Sequence, residues 1–309
     1  MPQEIRKSLG RGNETLETLE NLLGKREVDG YLKQFQRLPR ERFATVKVGG
    51  EIIESQLDEL TWALSELYRI GLYPVVIHGG GPQINAFLKH EGIHTESKNG
   101  LRVTSKEALF VSRQATEHAN RSIVDALVKR GVAAEPLTRG VFKASLIDKE
   151  EYGYVGKVED VRIEEVRKAL EAGKLPIISC FGEDATGEDL NINGDTAAAA
   201  LAKALEPRRY MALTTTGGVL DEELNLISEI NVTDQTFQEL LSAEWLNGGM
   251  ELKVKEAARL LKQLPVRSTV SITDPKSLIK ELFTDVGAGT LLRHDRTMTL
   301  QRRQRRKLT

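Results

Sequence analysis

The chain has 309 residues, enough to bury a sizeable core in one large domain or two lobes. Its 44 Lys and Arg balance 45 Asp and Glu, for a formal net charge of −1, so no whole-chain basic field points to nucleic acid. Cys180 is the one cysteine, which excludes an intrachain disulfide framework, and no apolar run is long enough to span a bilayer.

From the N-terminus, the first residues mix charges, with Glu14, Glu17 and Glu20 close behind. They lack a signal-peptide core and the acid-poor, Arg-rich bias of a transit peptide. A cytoplasmic location is expected, with the mitochondrial matrix as the eukaryotic alternative. Residues 16–35 predict an amphipathic helix interrupted near Gly24-Lys25-Arg26, for packing or oligomer contact, with regulation as the sharper alternative.

Short β-rich runs then alternate with helical patterns. Strands are predicted over 43–48, 73–77, 133–136, 175–180, 209–213 and 267–272. Leu57, Leu60, Leu64, Leu67 and Ile70 predict a helix over 55–70, with Ser55 and Asp58 as its capping box and Gly71 as its stop. A long helix follows Thr104, capped with Glu107 and ending near Gly131. Further helices are predicted over 82–90, 163–172, 195–205 and 251–263. This rhythm predicts a mostly parallel, doubly wound sheet with helices on both faces. A β-hairpin over 142–157, turning at Glu151-Tyr152-Gly153, interrupts it. The last organised segment is 283–292, and the basic run Arg302-Arg303-Gln304-Arg305-Arg306-Lys307 is taken as a solvated tail.

The glycine clusters carry the first chemical signal. Lys47-Val48-Gly49-Gly50 ends the first strand and His78-Gly79-Gly80-Gly81-Pro82 the second. Glycine permits positive φ and close backbone approach, so successive amides can converge on a phosphate, aided by the helix dipole. Pro82 suits a first helical turn. Neither cluster matches the Walker A pattern or a dinucleotide fingerprint.

Charged residues near strand ends add to this. Lys47 stands where a structural lysine usually points to solvent. Asp195, in Asn191-Ile192-Asn193-Gly194-Asp195, is on local evidence a helix N-terminal acid. Lys253 is predicted in a first helical turn, where it opposes the dipole and suggests a bound anion. Arg102, in Gly100-Leu101-Arg102-Val103-Thr104, offers a planar fork for a carboxylate. His78 is expected to support its loop and Cys180 to be a small buried hydrophobe.

These motifs, in this order and with Gly248-Gly249-Met250 ahead of Lys253, resemble the amino-acid kinase family, over residues 16–293. The branch most similar phosphorylates N-acetyl-L-glutamate, as in the kinase region of fungal-type and bifunctional synthase/kinase proteins. The resemblance implies a three-layer αβα sandwich of the carbamate kinase-like fold. It divides the chain into an N-terminal helical extension (1–40), an acceptor lobe (41–200), a nucleotide lobe (201–293) and a basic tail (294–309). It implies transfer of a phosphoryl group from ATP to the side-chain carboxylate, giving N-acetyl-L-glutamyl 5-phosphate, in arginine biosynthesis. By motif, Lys47 and Lys253 become the transition-state lysines and Asp195 the acid that orients them. Gly49, Gly50, Gly79, Gly80 and Gly81 form the phosphate cradle. Thr214, Gly217 and Gly218 fall in the ATP site, and Arg102 and Asn191 hold the acceptor beside Gly80 and Gly81. Mg²⁺ is expected to be held mainly through the phosphates, with no protein metal site. L-Arginine enters as an inhibitor at Glu281, Gly287 and Gly289, and a homo-oligomer (dimer, tetramer or hexamer) is expected, with no nucleic-acid or membrane partner.

Two positions depart from the family pattern. Gly194 replaces the usual alanine, a cost of about 1 kcal/mol in a helix. Thr214-Thr215-Thr216-Gly217-Gly218-Val219 replaces a more usual aspartate and proline, which bears on the adenine and ribose contacts. Retention of both lysines, Asp195 and the triple glycine argues against a degenerate copy. The rivals are a kinase for another amino acid and a catalytically silent, arginine-sensing domain of an N-acetylglutamate synthase. No acetyltransferase segment follows Arg293, so no synthase activity is expected of this chain.

Overall fold

The computed structural model describes residues 14–293 except Leu22, residues 233–234 and residues 285–286. The predicted basic tail lies outside the described residues.

Residues 14–21 form helix α1, and α2 (Lys25–Gln36) follows Gly24, whose φ of 89° marks the predicted interruption. Then come β1 (Ala44–Val48), α3 (Gly50–Ser55), α4 (Leu57–Arg69), β2 (Val75–His78) and α5 (Gly81–His90). A small ribbon, β3 (Ser97–Lys98) and β4 (Leu101–Arg102), precedes the long α6 (Lys106–Lys129) and β5 (Ala134–Leu137). The inserted hairpin is β6 (Phe142–Leu146) and β7 (Gly156–Val161), with the one-turn α7 (Lys149–Tyr152) in its bend. The chain continues through α8 (Ile163–Glu171), β8 (Leu175–Ser179), β9 (Phe181–Glu183), β10 (Asp189–Asn191) and α9 (Gly194–Leu205). It closes with β11 (Arg209–Leu213), β12 (Glu229–Asn231), α10 (Gln235–Ser242), α11 (Gly248–Gln263), β13 (Thr269–Thr273), α12 (Leu278–Phe283) and β14 (Thr290–Arg293).

The main sheet has eight strands in the order β12-β14-β13-β11-β1-β2-β8-β5. Pairing is parallel from β13 to β5, and only β13 with β14 is antiparallel. Strand side chains alternate in direction, so neighbours feed different cores. Ile77, Ile178 and Tyr210 join the layer containing α8, α9 and α11, whereas Val76, Ile177 and Met211 join the layer of α2, α4, α6 and α12. That division is the expected αβα sandwich. In α4, Leu60, Leu64 and Leu67 are fully buried, each burial contributing about 2 kcal/mol. A smaller sheet, β10-β9-β6-β7, flanks the main one.

Two expected caps are corrected. Ser55 ends α3, and its hydroxyl donates to the Glu51 carbonyl at 2.7 Å; Gln56 is the N-cap of α4. Ser105, one residue past Thr104, caps α6 by accepting from the Ala108 amide at 3.1 Å. In both cases several nearby polar residues satisfied the local pattern, and the path of the entering chain selected among them. Among the described residues, no helix is long and apolar enough to cross a membrane.

Candidate functional site

The strand order reverses at β1, which has β2 on one side and β11 on the other. Ligand crevices in open α/β sheets form at such points, beyond the carboxyl ends of the strands. Both glycine clusters lie there. Gly49 is the N-cap of α3 and Gly80 the N-cap of α5, and no side chain among the described residues caps either start. No side chain therefore competes for the helix-start amides facing an anion, although the Ile52 amide already donates to the Gly49 carbonyl at 3.1 Å and Pro82 has none to offer.

None of Gly49, Gly50, Gly79, Gly80 and Gly81 has positive φ, contrary to one of the two reasons expected for them. Close approach is the operative reason at Gly50; the Cβ positions of Gly49, Gly79 and Gly81 are open, and that of Gly80 meets only ordinary contacts. A Cβ on Gly50 would lie 2.6 Å from both Gln83 Oε1 and Pro82 Cδ. Gln83 Nε2 donates to the Gly50 carbonyl at 2.9 Å, tying the two glycine loops together. Apart from its place after Pro82, nothing local marks Gln83 as that strut.

A cleft of about 320 Å³ opens between these loops. Lys47, Asp195 and Lys253 line it, with Arg102 and Asn191 on its far wall. Lys47 is buried, and its Nζ lies 2.5 Å from Asp195 Oδ1. Asn193, not Asp195, caps α9: its Oδ1 accepts from the amides of Asp195 and Thr196 at 2.9 and 3.1 Å. The Asp195 carboxylate is thus left to hold the lysine. Gly194 is the first residue of α9, where a Cβ would make only ordinary contacts with Cys180 and Gly79.

Lys253 reaches the cleft from the second turn of α11, which begins at Gly248, so the expected first-turn placement is corrected. Gly248 and Gly249 belong to the helix itself, which starts earlier than the apolar periodicity indicates. Among the described residues, Lys253 has no hydrogen bond or ion pair, leaving a half-buried cation over the cleft.

Arg102 donates through Nη1 to Thr95 Oγ1 at 2.8 Å and through Nη2 to Asn85 Oδ1. Burial lowers its pKa. Asn191 Nδ2 donates to Thr104 Oγ1 at 3.1 Å. His78 is fully buried, and burial depresses its pKa to about 4. Neutral, it donates from Nδ1 to the Gly79 carbonyl at 2.9 Å and accepts at Nε2 from Asn120 Nδ2 at 3.0 Å. Both ring nitrogens are occupied by loop support, as expected. Burial pushes the Cys180 thiol up to about 12, so it is no nucleophile.

Other expected residues stand outside this cleft. Thr214, Gly217 and Gly218 follow β11 at the same end of the sheet, and Gly218 is packed against Leu226 and Thr290. Glu281 is buried in α12, where its Oε2 accepts from the Gly289 amide at 3.1 Å. A Cβ on Gly287 would collide with that carboxylate. Gly287 and Gly289 both lie against the Glu281 carboxylate.

Glu256 was missed, because nothing in its helical position distinguishes it from a solvated acid. Burial, and then the charge of Asp195, raise its pKa to about 7. Near its ordinary value of 4.5, both folded and unfolded chains bind the proton. As pH rises from 4.5 to 7, only the folded chain retains it, so stability falls across that window. Glu256→Gln removes the penalty. Urea unfolding should show the variant level with the parent at pH 4.5 and more stable by about 1 kcal/mol at pH 8, after allowance for partial exposure. Parallel stability curves for the two proteins would reject this environment.

The donors suit a polyphosphate: cations from two elements and peptide amides converge from opposite sides. Among the described residues there is no cluster of three His, Cys, Asp or Glu able to hold a metal.

The model of the amino acid kinase family matches residues 43–270. An acetylglutamate kinase of Xanthomonas campestris is 44% identical over 87% of this chain and 63% of its own. The Neurospora crassa protein arg-6, mitochondrial, is 44% identical over 90% of this chain and 32% of its own. The chain thus spans less than two thirds of each of these relatives. The crystal structure of a Giardia carbamate kinase superposes with a TM-score of 0.60 at 16% identity, over 82% of this chain and 99% of that one, a likeness of fold.

Proposed function

Because this chain belongs to the amino acid kinase family, we propose that it transfers the γ-phosphoryl group of ATP to the side-chain carboxylate of N-acetyl-L-glutamate. The product is N-acetyl-L-glutamyl 5-phosphate, in arginine biosynthesis. One observation carries the proposal: Lys47, locked 2.5 Å from Asp195, shares a cleft with Lys253 and two glycine loops.

The acceptor carboxylate has an ordinary pKa near 4.3 and is ionised at neutral pH, so no general base is required. The barrier is repulsion between two anions, and catalysis consists of positioning and charge neutralisation. Lys47 and Lys253 neutralise the transferring group from two sides. Asp195 sets the place of the Lys47 ammonium. Amides of the glycine loops donate to phosphate oxygens, and His78 keeps the Gly79 carbonyl turned away. Bound Mg²⁺ supplies further charge neutralisation on the phosphates. Arg102 and Asn191 grip the acceptor, whose lobe we assign to residues 41–200.

The nucleotide lobe is assigned to residues 201–293, with Thr214, Gly217 and Gly218 toward ATP. Residues 1–40 are an extension for homo-oligomer contact. Regulation by L-arginine is placed at Glu281, Gly287 and Gly289, beneath α2. Tyr31 and Phe35 of α2 pack on Phe283 of α12, with centroids 6.4 and 5.9 Å apart, so α2 rests on the helix that carries Glu281. The proposed location is the cytoplasm, or the mitochondrial matrix; the Neurospora relative is named as mitochondrial.

An ADP-release assay with N-acetyl-L-glutamate, glutamate, aspartate, carbamate and UMP, with and without arginine, tests the proposal. Turnover should be fastest with the N-acetylated acceptor. In the same assay, Arg102→Ala should raise KM for the acceptor at least about tenfold and leave KM for ATP nearly unchanged. Arginine binding without turnover of any acceptor would instead identify a silent sensor.

A further inference from the structure

At the end of the sheet opposite the cleft lies a second concavity, of about 570 Å³. It sits between α2 and the residues that lead into β1, β11 and β13. Five cations line it: Lys33 from α2, Arg37 from the C-cap of that helix, and Arg42, Arg208 and Arg267 from the strand approaches. A single carboxylate, Glu206, stands among them.

The fold explains the convergence. β13, β11 and β1 are consecutive parallel neighbours, and their hydrogen bonding extends into the approaches. The Arg208 amide donates to the Arg42 carbonyl at 2.7 Å, and the Thr269 amide to the Arg208 carbonyl at 3.1 Å. Adjacent strands are spaced by about 4.8 Å, so each of the three neighbouring approaches brings one arginine to the amino ends of the strands. Lys33 and Arg37, one helical turn apart, face them.

Two of the five are engaged. Arg42 Nη2 lies 3.0 Å from Glu206 Oε2, and the Gln34 side-chain oxygen accepts from Arg208 Nε at 3.0 Å. Among the described residues, Lys33, Arg37 and Arg267 have no hydrogen bond or ion pair. Gathering like charges in a concave space costs stability and raises the local positive potential. The whole chain is close to neutral, so this is a local concentration. The volume falls in the range of small-ligand pockets, and guanidinium forks fit phosphate oxygens in pairs.

We propose that this pocket binds a small polyphosphate anion, carried by a nucleotide or free in solution. Bound there, the anion bridges Lys33 of α2 and Arg37 at its C-cap to Arg208 and Arg267 at the amino ends of β11 and β13. It thereby fastens the N-terminal helix to the strands whose far ends form the cleft. The inference does not depend on which acceptor the cleft takes.

Calorimetric titration at low salt, with inorganic tripolyphosphate in one arm and ATP in the other, tests it. The protein should bind tripolyphosphate at the pocket in addition to any binding at the cleft. The triple variant Lys33→Ala, Arg37→Ala, Arg267→Ala should lose the pocket event, and Arg267→Gln alone should weaken it about tenfold. Without ligand, neither variant should melt earlier than the parent, since each removes repulsion. That separates loss of binding from loss of fold. An effect in the ATP arm only assigns a nucleotide, and one in both arms the phosphate chain. Identical isotherms for parent and variants overturn the proposal, as does pocket-dependent binding of a poly-glutamate peptide with none of either phosphate.

Discussion

Lys253→Ala lowers kcat at least about a hundredfold, with little change in melting temperature. The expected size follows from the role: an ammonium aimed at charge that develops only in transfer contributes to the transition state and little to the ground state. Stability should be untouched, because Lys253 is half-buried and has no ion pair or hydrogen bond among the described residues. Steady-state kinetics with saturating ATP and acceptor, alongside a thermal melt, provide the check. A near-normal kcat would reject the assignment. A matched loss in kcat/KM with unchanged kcat would mean that Lys253 binds ATP uniformly and does not favour the transition state. Lys47→Ala should match the kinetic loss.

Asp195 carries the second large effect, and here stability and activity move together. Asp195→Ala leaves the buried Lys47 ammonium without its partner at 2.5 Å. Removing one member of a buried pair costs about 3–5 kcal/mol, and the partial exposure of Asp195 places the loss near about 3 kcal/mol. We expect kcat to fall on the order of a hundredfold as well, since Lys47 loses its fixed position. Replacing both residues separates the two roles. Lys47→Met with Asp195→Leu removes the uncompensated charge, so urea unfolding should recover most of the lost stability while turnover stays at the level of Lys47→Ala. Recovered activity in the double variant would show that neither residue acts in the chemistry.

The site was legible in the sequence to an unequal degree. Glycine pairs after β1 and β2 announced phosphate-facing turns, because a strand, a glycine pair and a helix start form a local pattern. Lys47 and Lys253 were found by their nearness to such turns. Their surroundings were not legible. Local pattern made Asp195 an N-terminal helix acid, yet Asn193 does the capping and frees the carboxylate. Glu256 was invisible because its raised pKa comes from burial against Asp195, far away in sequence.

The order and type of the six predicted strands, the inserted hairpin and the longer helices came from the amino-acid sequence alone, since apolar spacing, glycine stops and β-rich runs are written within a few residues of one another; α3, the β3–β4 ribbon, β9, β10, α10, β12 and α12 did not. It likewise supplied the chemical identity of the cations and amides, and hence the expectation of a phosphate ligand. Tertiary structure decided which of these groups meet. Parallel strands place their ends side by side according to sheet order, so β1 joins residues of β2 and β11 that share no neighbourhood along the chain. That geometry pairs Lys47 with Asp195 at one end of the sheet and gathers Arg42, Arg208 and Arg267 at the other. Charge spacing along the chain contains neither arrangement, because both arise from crossover connections closed by two hydrophobic cores on opposite faces.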